Sequence, residues 1–136
     1  MIKINNALIS LGLTDYALFG EPTNESEFNT MFKKVTGTNS DGSSILSSNT
    51  SDFGVTWTQV KTEYDSLVSG EALSELRKER NNKLKDTDFY ALSDVTMSSE
   101  MTTYRQALRD LPSNYTTSDG EALTDNLSNL NWPTKP

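Results

Sequence analysis

The stretch LRKERNNKLKDTDFYALSDVTMSSEMTTYRQALRDLP, residues 76–112, decides the fold predicted for this chain. It predicts two helices joined by an acidic corner, and it contains all four arginines of the protein: Arg77, Arg80, Arg105 and Arg109. Arginine suits packed or half-buried ion pairs, because its planar set of donors matches a carboxylate. Carboxylates lie nearby, at Asp86, Asp88 and Asp94 in the corner and at Asp110 in the second helix. The stretch therefore predicts a helical hairpin held by arginine–carboxylate pairs.

Several short motifs follow one another in the C-terminal half. The chain has L-R-x-x-R-N-x-x-L-x-x-T-D over residues 76–88, S-D at 93–94, YRQALRDLP at 104–112 and W-P-x-x-P at 132–136. With these motifs the C-terminal half resembles the phage tail (tail-fibre) assembly chaperone family. Phe89 and Met101 stand where that family usually has tryptophan, and both keep a large apolar side chain. The first half of the chain has no comparably specific resemblance.

The predicted clasp and the predicted docking residues form two sets. The clasp comprises Arg77, Arg80, Asp88, Asp94, Tyr104, Arg105, Arg109 and Asp110. Aromatic side chains on a polar surface are typical interface anchors, so Phe53, Trp57 and Trp132 are predicted to dock a partner or the tail. Pro133 joins them, because prolines hold the tail beside Trp132 extended.

Composition and charge restrict the possible functions. A chain of 136 residues can bury a modest core, and only 34% of its residues are hydrophobic. The net charge of −7 argues against nucleic acid as a partner, because phosphate binding needs a cationic face. Cysteine and histidine are both absent, which excludes disulfides, thiolate nucleophiles, histidine-based triads and most zinc or iron sites. We therefore predict no metal, no cofactor and no enzymatic activity.

The location predicted for the protein is the host cytoplasm during assembly and the virion afterwards. No segment is apolar enough over its length to span a bilayer, and the N-terminus lacks the pattern of a signal peptide. Other phage tail or virion proteins are the predicted partners, with multiple copies per particle and no membrane or nucleic acid.

Residues 1–55 predict a small mixed α/β part that acts as an adaptor. Helical spacing from Ile4 to Leu11 indicates a short helix closed by Gly12, and residues 16–19 predict a buried strand. A helix is predicted over about residues 25–34, capped by Asn24 with Glu27 as its reciprocal partner. The alternation of apolar residues around Phe32 leaves a strand open as the alternative.

Residues 36–52 form a Ser/Thr-rich segment with two apolar residues, Ile45 and Leu46. It predicts either a hairpin that turns near Asp41 and Gly42 or a loop held by its surroundings. A calcium loop does not fit, because Gly37 and Ser48 occupy positions that need acidic ligands.

Residues 56–136 predict the helical, chaperone-like module. An apolar stripe that begins at Trp57 indicates a long helix, which Ser69 and Gly70 either divide or merely weaken. The second helix of the hairpin carries a stripe that Pro112 ends: Met97, Met101, Tyr104, Leu108 and Leu111. A capping box at Ser118 and Glu121 starts a third helix with an apolar stripe of Leu123, Leu127 and Leu130. The extended tail that follows is predicted to dock through Trp132, onto the hairpin or onto a partner.

These elements predict a mainly α fold: a helical hairpin with a long first helix, a small mixed N-terminal part and an extended tail. The function predicted is a tail or tail-fibre associated assembly or structural protein of the virion that acts by protein–protein binding. The alternative is a transient tail-fibre assembly chaperone that is absent from the mature particle. A carboxylate-based hydrolase is a remote alternative, because neighbouring acids arise by chance in a chain with 19 of them.

Overall fold

A computed structural model describes residues 1–115, 127 and 130–136. The chain divides into two units, Met1–Leu67 and Val68–Pro136. The helices are α1 (Ile4–Ser10), α2 (Glu25–Met31), α3 (Trp57–Lys85) and α4 (Ser99–Asp110), and the strands are β1 (Tyr16–Leu18), β2 (Phe32–Thr38) and β3 (Ser44–Ser47). Short 3-10 helices cover Thr50–Asp52, Asp88–Ala91 and Leu111–Tyr115. The long first helix is confirmed, but the chain as a whole is mixed α/β rather than a mainly helical hairpin.

The first unit contains a three-stranded antiparallel sheet in the order β1-β2-β3. The predicted helix over residues 25–34 is too long, because α2 ends at Met31 and the chain continues as β2 from Phe32. Phe32 pairs with Leu18 of β1, and its ring packs 5.0 Å from that of Phe28 in α2. Strand pairing and core packing therefore prevail over the helical spacing that the two phenylalanines also satisfy.

The cap of α2 differs from the predicted box by one residue. Asn24 accepts a hydrogen bond from the backbone N–H of Glu27 at 2.9 Å, as the sequence predicts. The Glu27 carboxylate, however, accepts from the backbone N–H and the hydroxyl of Thr23, at 2.7 and 2.8 Å, so it secures the residue before the cap.

The Ser/Thr-rich segment folds as the β2–β3 hairpin followed by a 3-10 turn. The backbone N–H of Asn39 donates to the carbonyl of Ser43 at 2.7 Å, and Asp41 accepts from the backbone N–H of Ser43 at 2.9 Å. Gly42 has a φ of 89°, a left-handed conformation that glycine adopts without steric cost. Of the two alternatives for residues 36–52, the structure thus has the hairpin.

The core of the first unit is built around aromatic rings. Its buried residues are Ile4, Ala7, Leu8, Phe28, Phe32, Phe53 and Val60. The rings of Phe32 and Phe53 lie 4.7 Å apart edge to face, a favoured aromatic geometry. This core is complete within residues 1–67, so the first unit buries apolar residues of its own.

The second unit contains most of α3 and all of α4. Helix α3 continues through Ser69 and Gly70 without interruption, so these residues do not divide it. Ser98 caps α4 by accepting from the backbone N–H of Met101 at 3.1 Å. Two buried clusters hold this unit: Ala72, Leu76, Leu111 and Tyr115 form one, and Met101, Tyr104 and Leu108 form the other.

Three further predictions concern the third helix, the boundary at residue 55 and membrane-spanning segments. The predicted helix over residues 118–130, with its capping box, lies outside the described residues except for Leu127 and Leu130, which pack against the first of the two clusters. The division predicted at residue 55 lies just before α3, and as a functional boundary it stays a prediction. Among the described residues, every helix is too short or too polar to cross a lipid bilayer.

Candidate functional site

Arg105 caps the end of α3 from the neighbouring helix. The last carbonyl groups of a helix have no partner inside that helix, and α3 ends at Lys85. The Arg105 guanidinium donates to the carbonyl oxygen of Leu84 at 2.8 Å, to the hydroxyl of Thr87 at 2.6 Å and to the carboxylate of Asp88 at 2.8 Å. We call this group of four residues, Leu84, Thr87, Asp88 and Arg105, the Arg105 cap.

Burial differs sharply between the two charges of the cap. The Arg105 side chain is 8% exposed, whereas the Asp88 side chain is 62% exposed, so water screens the carboxylate. The hydrogen bond from Arg105 to Thr87, in contrast, joins two buried residues. A cation at a helix C-terminus also complements the helix dipole. The Arg105 cap is therefore an architectural device that fixes α4 against the end of α3.

A second arginine joins the same two helices through a carbonyl group. Arg80 donates to the backbone carbonyl of Arg109 at 3.4 Å and to the side chain of Asn81 at 2.8 Å. Arg105 of α4 contacts Leu84 of α3, and Arg109, four residues later, contacts Arg80, four residues earlier in α3. This part of α3 and α4 therefore run antiparallel. The predicted hairpin geometry thus exists within the second unit.

The remaining residues of the predicted clasp do not form arginine–carboxylate pairs in the described part of the chain. The side chains of Arg77, Arg109 and Asp94 are exposed. Asp110 accepts a hydrogen bond from Gln106 at 2.9 Å instead of pairing with an arginine. Tyr104 is buried in the α4 cluster. Of the eight residues named from the sequence, the structure brings only Arg105 and Asp88 together as an ion pair.

Trp132 in the tail packs against both buried clusters of the second unit. The ammonium nitrogen of Lys83 lies 4.9 Å from the centre of the Trp132 ring, within the range of a cation–π contact. The backbone N–H of Asn131 donates to the hydroxyl of Tyr115 at 3.3 Å. Pro133 lines a groove of about 450 Å³ along α4 with the residues Ser99, Glu100, Thr103, Tyr104, Ala107, Thr134 and Pro136. The tail therefore docks onto its own unit.

The other two predicted docking residues lie in the first unit. Phe53 is 1% exposed and belongs to the core, so in this conformation it is not the surface anchor that the sequence predicted. Trp57 is half-buried in the first turn of α3, with its ring 5.6 Å from that of Phe28. It lines a groove of about 190 Å³ together with Pro22 and Tyr64. Trp57 thus keeps an accessible face.

The corner between α3 and α4 presents apolar side chains that the sequence did not identify as a site. Phe89 is 52% exposed, Leu92 is similarly exposed, and the Phe89 and Tyr90 rings lie 4.1 Å apart. We call these three residues the Phe89 corner. The sequence could have indicated this site, because Phe89 and Leu92 are large apolar residues in a short connection between helices, close to Asp86 and Asp88.

Three side chains of the first unit have pKa values that the fold shifts. Hydrogen bonds from Thr23 lower the pKa of Glu27, and hydrogen bonds from Ser43 lower the pKa of Asp41. Burial raises the pKa of Tyr16. Within the part of the chain that the structure describes, no three histidine, cysteine or acidic side chains are placed to hold a metal ion.

Comparison with known families supports the C-terminal resemblance. A family model described as phage tail assembly chaperone protein matches residues 73–136, the C-terminal half of the chain. The family resemblance drawn from the sequence motifs is therefore confirmed. Neither the curated proteins nor the solved structures gave a significant match to this chain. The matched segment contains the Arg105 cap, the Phe89 corner and Trp132.

Proposed function

We propose that this protein acts in phage tail assembly by binding other tail proteins in the host cytoplasm. The observation that carries the proposal is the family match over residues 73–136, which covers nearly all of the second unit, Val68–Pro136. A chaperone of this kind works by contact rather than by chemistry, and the groups of the Arg105 cap already bond to one another. In this proposal the protein acts by binding its partners and catalyses no reaction.

The Phe89 corner is the surface that we propose contacts the tail protein. Exposed aromatic and aliphatic side chains held on a rigid support are typical interface anchors, and the Arg105 cap holds Asp88, the residue that precedes Phe89. The exposed carboxylates of Asp86 and Asp94 flank it. An apolar partner segment with basic residues at its rim would match this arrangement.

A second candidate function is a structural adaptor that stays in the particle at the tail or tail fibre. The first unit favours it, because Met1–Leu67 has its own core and lies outside the family match. In that case the first unit, Met1–Leu67, would supply a second docking site with Trp57 as its anchor. The tail residues Trp132 and Pro133 would keep the C-terminal module in shape.

Affinity purification from infected cells tests the proposal. The tagged protein should recover tail or tail-fibre proteins, identified by mass spectrometry, and Phe89→Ser should reduce that recovery severalfold. Phe19→Ser is a matched control, because Phe19 is 61% exposed and lies in the first unit. Recovery of no tail protein would refute the assembly role, and equal recovery with both variants would refute the Phe89 corner.

Mass spectrometry of purified particles separates the two candidates. Stoichiometric amounts of this protein in mature particles would support the structural adaptor. Its absence from particles, together with recovery of tail proteins from infected cells, would support the transient chaperone.

A further inference from the structure

An open cavity of about 340 Å³ lies in the first unit, beside the first turn of α3. Trp57 lines it, and the indole ring also packs against Phe28 with the ring centres 5.6 Å apart. The polar part of the wall comes from two separate elements, α2 and the 3-10 helix Thr50–Asp52. We call this space the Glu25 cavity, and it is separate from the groove of about 190 Å³ that Trp57 also lines.

The polar side chains of the Glu25 cavity are not used inside the protein. Within the described part of the chain, no hydrogen bond involves the side chains of four lining residues: Glu25, Asn29, Thr50 and Ser51. Neighbouring side chains do bond internally, since Glu27 accepts from Thr23 and Ser47 donates to Asp52. The four unbonded groups bind water in the free protein, and a ligand that displaces this water must supply equivalent hydrogen bonds.

All four of these side chains can accept hydrogen bonds. A carboxylate only accepts, and an amide oxygen and a hydroxyl oxygen accept as well. The guanidinium of arginine is the complementary group, because it has five N–H donors and no acceptor. Its planar shape also stacks on aromatic rings, and tryptophan is the best aromatic partner for a cation. The wall of this cavity thus combines the two features that a guanidinium requires, hydrogen-bond acceptors and an indole.

The charge around the Glu25 cavity favours a cation. Among the described residues that line it, Glu25 is the one that carries a charge, and Glu27 lies in the same first turn of α2. These two carboxylates outweigh the positive end of a seven-residue helix, which corresponds to about half an elementary charge. Asp52 follows Ser51 in the chain and adds a third negative charge. An anionic ligand is therefore repelled and a guanidinium is attracted.

We propose that the Glu25 cavity binds an arginine side chain of a partner protein. The guanidinium pairs with the Glu25 carboxylate and stacks on the Trp57 ring. Its remaining N–H groups donate to the side-chain oxygens of Asn29, Thr50 and Ser51. Arginine is enriched among the residues that contribute most to protein interfaces, and its long side chain reaches into a cavity from a neighbouring surface. This inference rests on the docking role proposed for Trp57, and it names the partner group that the first unit takes.

An NMR titration of the isotope-labelled full chain with short peptides tests the proposal. Three blocked tripeptides differ only in the central residue, which is arginine, lysine or citrulline between two glycines. Citrulline keeps the shape of arginine but is neutral, so it isolates the effect of charge. The arginine peptide should shift the indole N–H of Trp57 and the backbone amides of Glu25, Asn29 and Ser51 in a saturable way. It should bind about fivefold more tightly than the citrulline peptide and about threefold more tightly than the lysine peptide.

Glu25→Gln should weaken binding of the arginine peptide about fivefold, because it removes the ion pair and keeps the size of the side chain. The preference for arginine over citrulline should disappear with it, which a purely structural effect would not cause. Glu79→Gln is the matched control, because it removes the same charge from an exposed position of α3 in the second unit, and it should bind like the wild type.

Trp57→Leu is a second, independent variant. It keeps an apolar side chain and removes the stacking surface, so it should weaken binding of the arginine peptide about threefold. The dispersion of the amide signals shows whether each variant remains folded.

Several results would overturn the proposal: a spectrum that the arginine peptide leaves unchanged, equal affinities for the arginine and citrulline peptides, or unaltered affinity in Glu25→Gln. A titration with N-acetylglucosamine covers the rival class of ligand, a neutral saccharide. Tighter binding of this sugar than of the arginine peptide, at the same signals, would also overturn it. None of these measurements uses a tail protein, whereas the assembly role is tested by recovery of tail proteins from infected cells. The failures of the two proposals are therefore distinguishable.

Discussion

The guanidinium of Arg105 donates a hydrogen bond to the carbonyl oxygen of Leu84 at 2.8 Å, across a sequence separation of 21 residues. This bond joins the middle of α4 to the last turn of α3. It gives a helix end a cap that comes from a different helix, whereas most caps are local. Because the same guanidinium also holds Thr87 and Asp88, one side chain fixes the helix end, the start of the corner and α4 together.

Replacing Arg105 with alanine should destabilise the C-terminal unit by about 2–4 kcal/mol. The change removes buried, charge-assisted hydrogen bonds to Leu84 and Thr87. Arg109→Ala on the same helix should cost under about 1 kcal/mol, because the Arg109 side chain is exposed. Urea denaturation followed by circular dichroism measures both values. Equal stability losses for the two variants would contradict the assignment of Arg105 as the cap.

Removing the indole of Trp132 should also destabilise the C-terminal unit. Trp132→Ala deletes apolar contacts with both clusters, and we expect a loss of about 1–3 kcal/mol for this half-buried ring. Lys83→Ala removes only the cation–π contact and should cost about 0.5–1 kcal/mol. Lys85→Ala serves as the matched control. Thermal melts that coincide for Trp132→Ala and the wild type would show that the docked tail has no mechanical role.

Phe53→Ala and Phe19→Ala should behave very differently, although the chemical change is the same. Phe53 fills the aromatic core of the first unit, so its truncation should cost about 3–5 kcal/mol. Phe19 is exposed, and its truncation should stay within about 0.5 kcal/mol. Denaturation of the two variants side by side provides the measurement. A mild effect at Phe53 would mean that this ring is a surface anchor after all.

Acidification should weaken the first unit partly through Glu27. Hydrogen bonds from Thr23 lower the pKa of Glu27 in the folded state below its unfolded value. The stabilisation is therefore complete above the usual glutamate value of about 4.3, and it is lost as the pH falls through the lowered pKa of the folded state. Glu27→Gln should lose less stability over this acidic range than the wild type, as measured by melts at a series of pH values.

Glu25→Gln is the control for this pH dependence, because it removes a charge from the same turn of α2 without touching the Thr23 bonds. Its stability should fall with acidification as steeply as that of the wild type. If the stability of Glu27→Gln falls with pH as steeply as that of the wild type, the Thr23 bonds do not contribute to the stability of the folded state.

Local signals in the sequence predicted much of the fold. Gly12 closes α1 with a φ of 79°, the α3 periodicity extends from Trp57, and α4 matches the apolar spacing that reaches Leu108. Each of these signals depends on residues within a few turns of one another. The sequence left helix and strand open around Phe32 and did not place the switch from α2 to β2 there, because the switch depends on pairing with Leu18, which lies 14 residues earlier in the chain.

The candidate site was predicted in part. The sequence identified Arg105 and Asp88 as members of the clasp, because arginine and carboxylates concentrate around the corner. It did not identify the Leu84 carbonyl or the Thr87 hydroxyl as acceptors, since any residue has a carbonyl group and threonine is common in this chain. It also named Phe53 as an anchor, whereas packing placed that ring inside the core and left Phe89 outside.

By itself the sequence determined α1, α3 and α4, the absence of cysteine and histidine chemistry, the acidic charge and the C-terminal motifs of the assembly chaperone family. Tertiary structure alone decided which of four arginines is buried, which aromatic rings remain exposed, and that Trp132 returns to its own unit. The physical reason is that periodicity and capping act over one or two turns. Burial and cross-helix hydrogen bonds depend instead on residues that are distant in the chain and meet only when it folds.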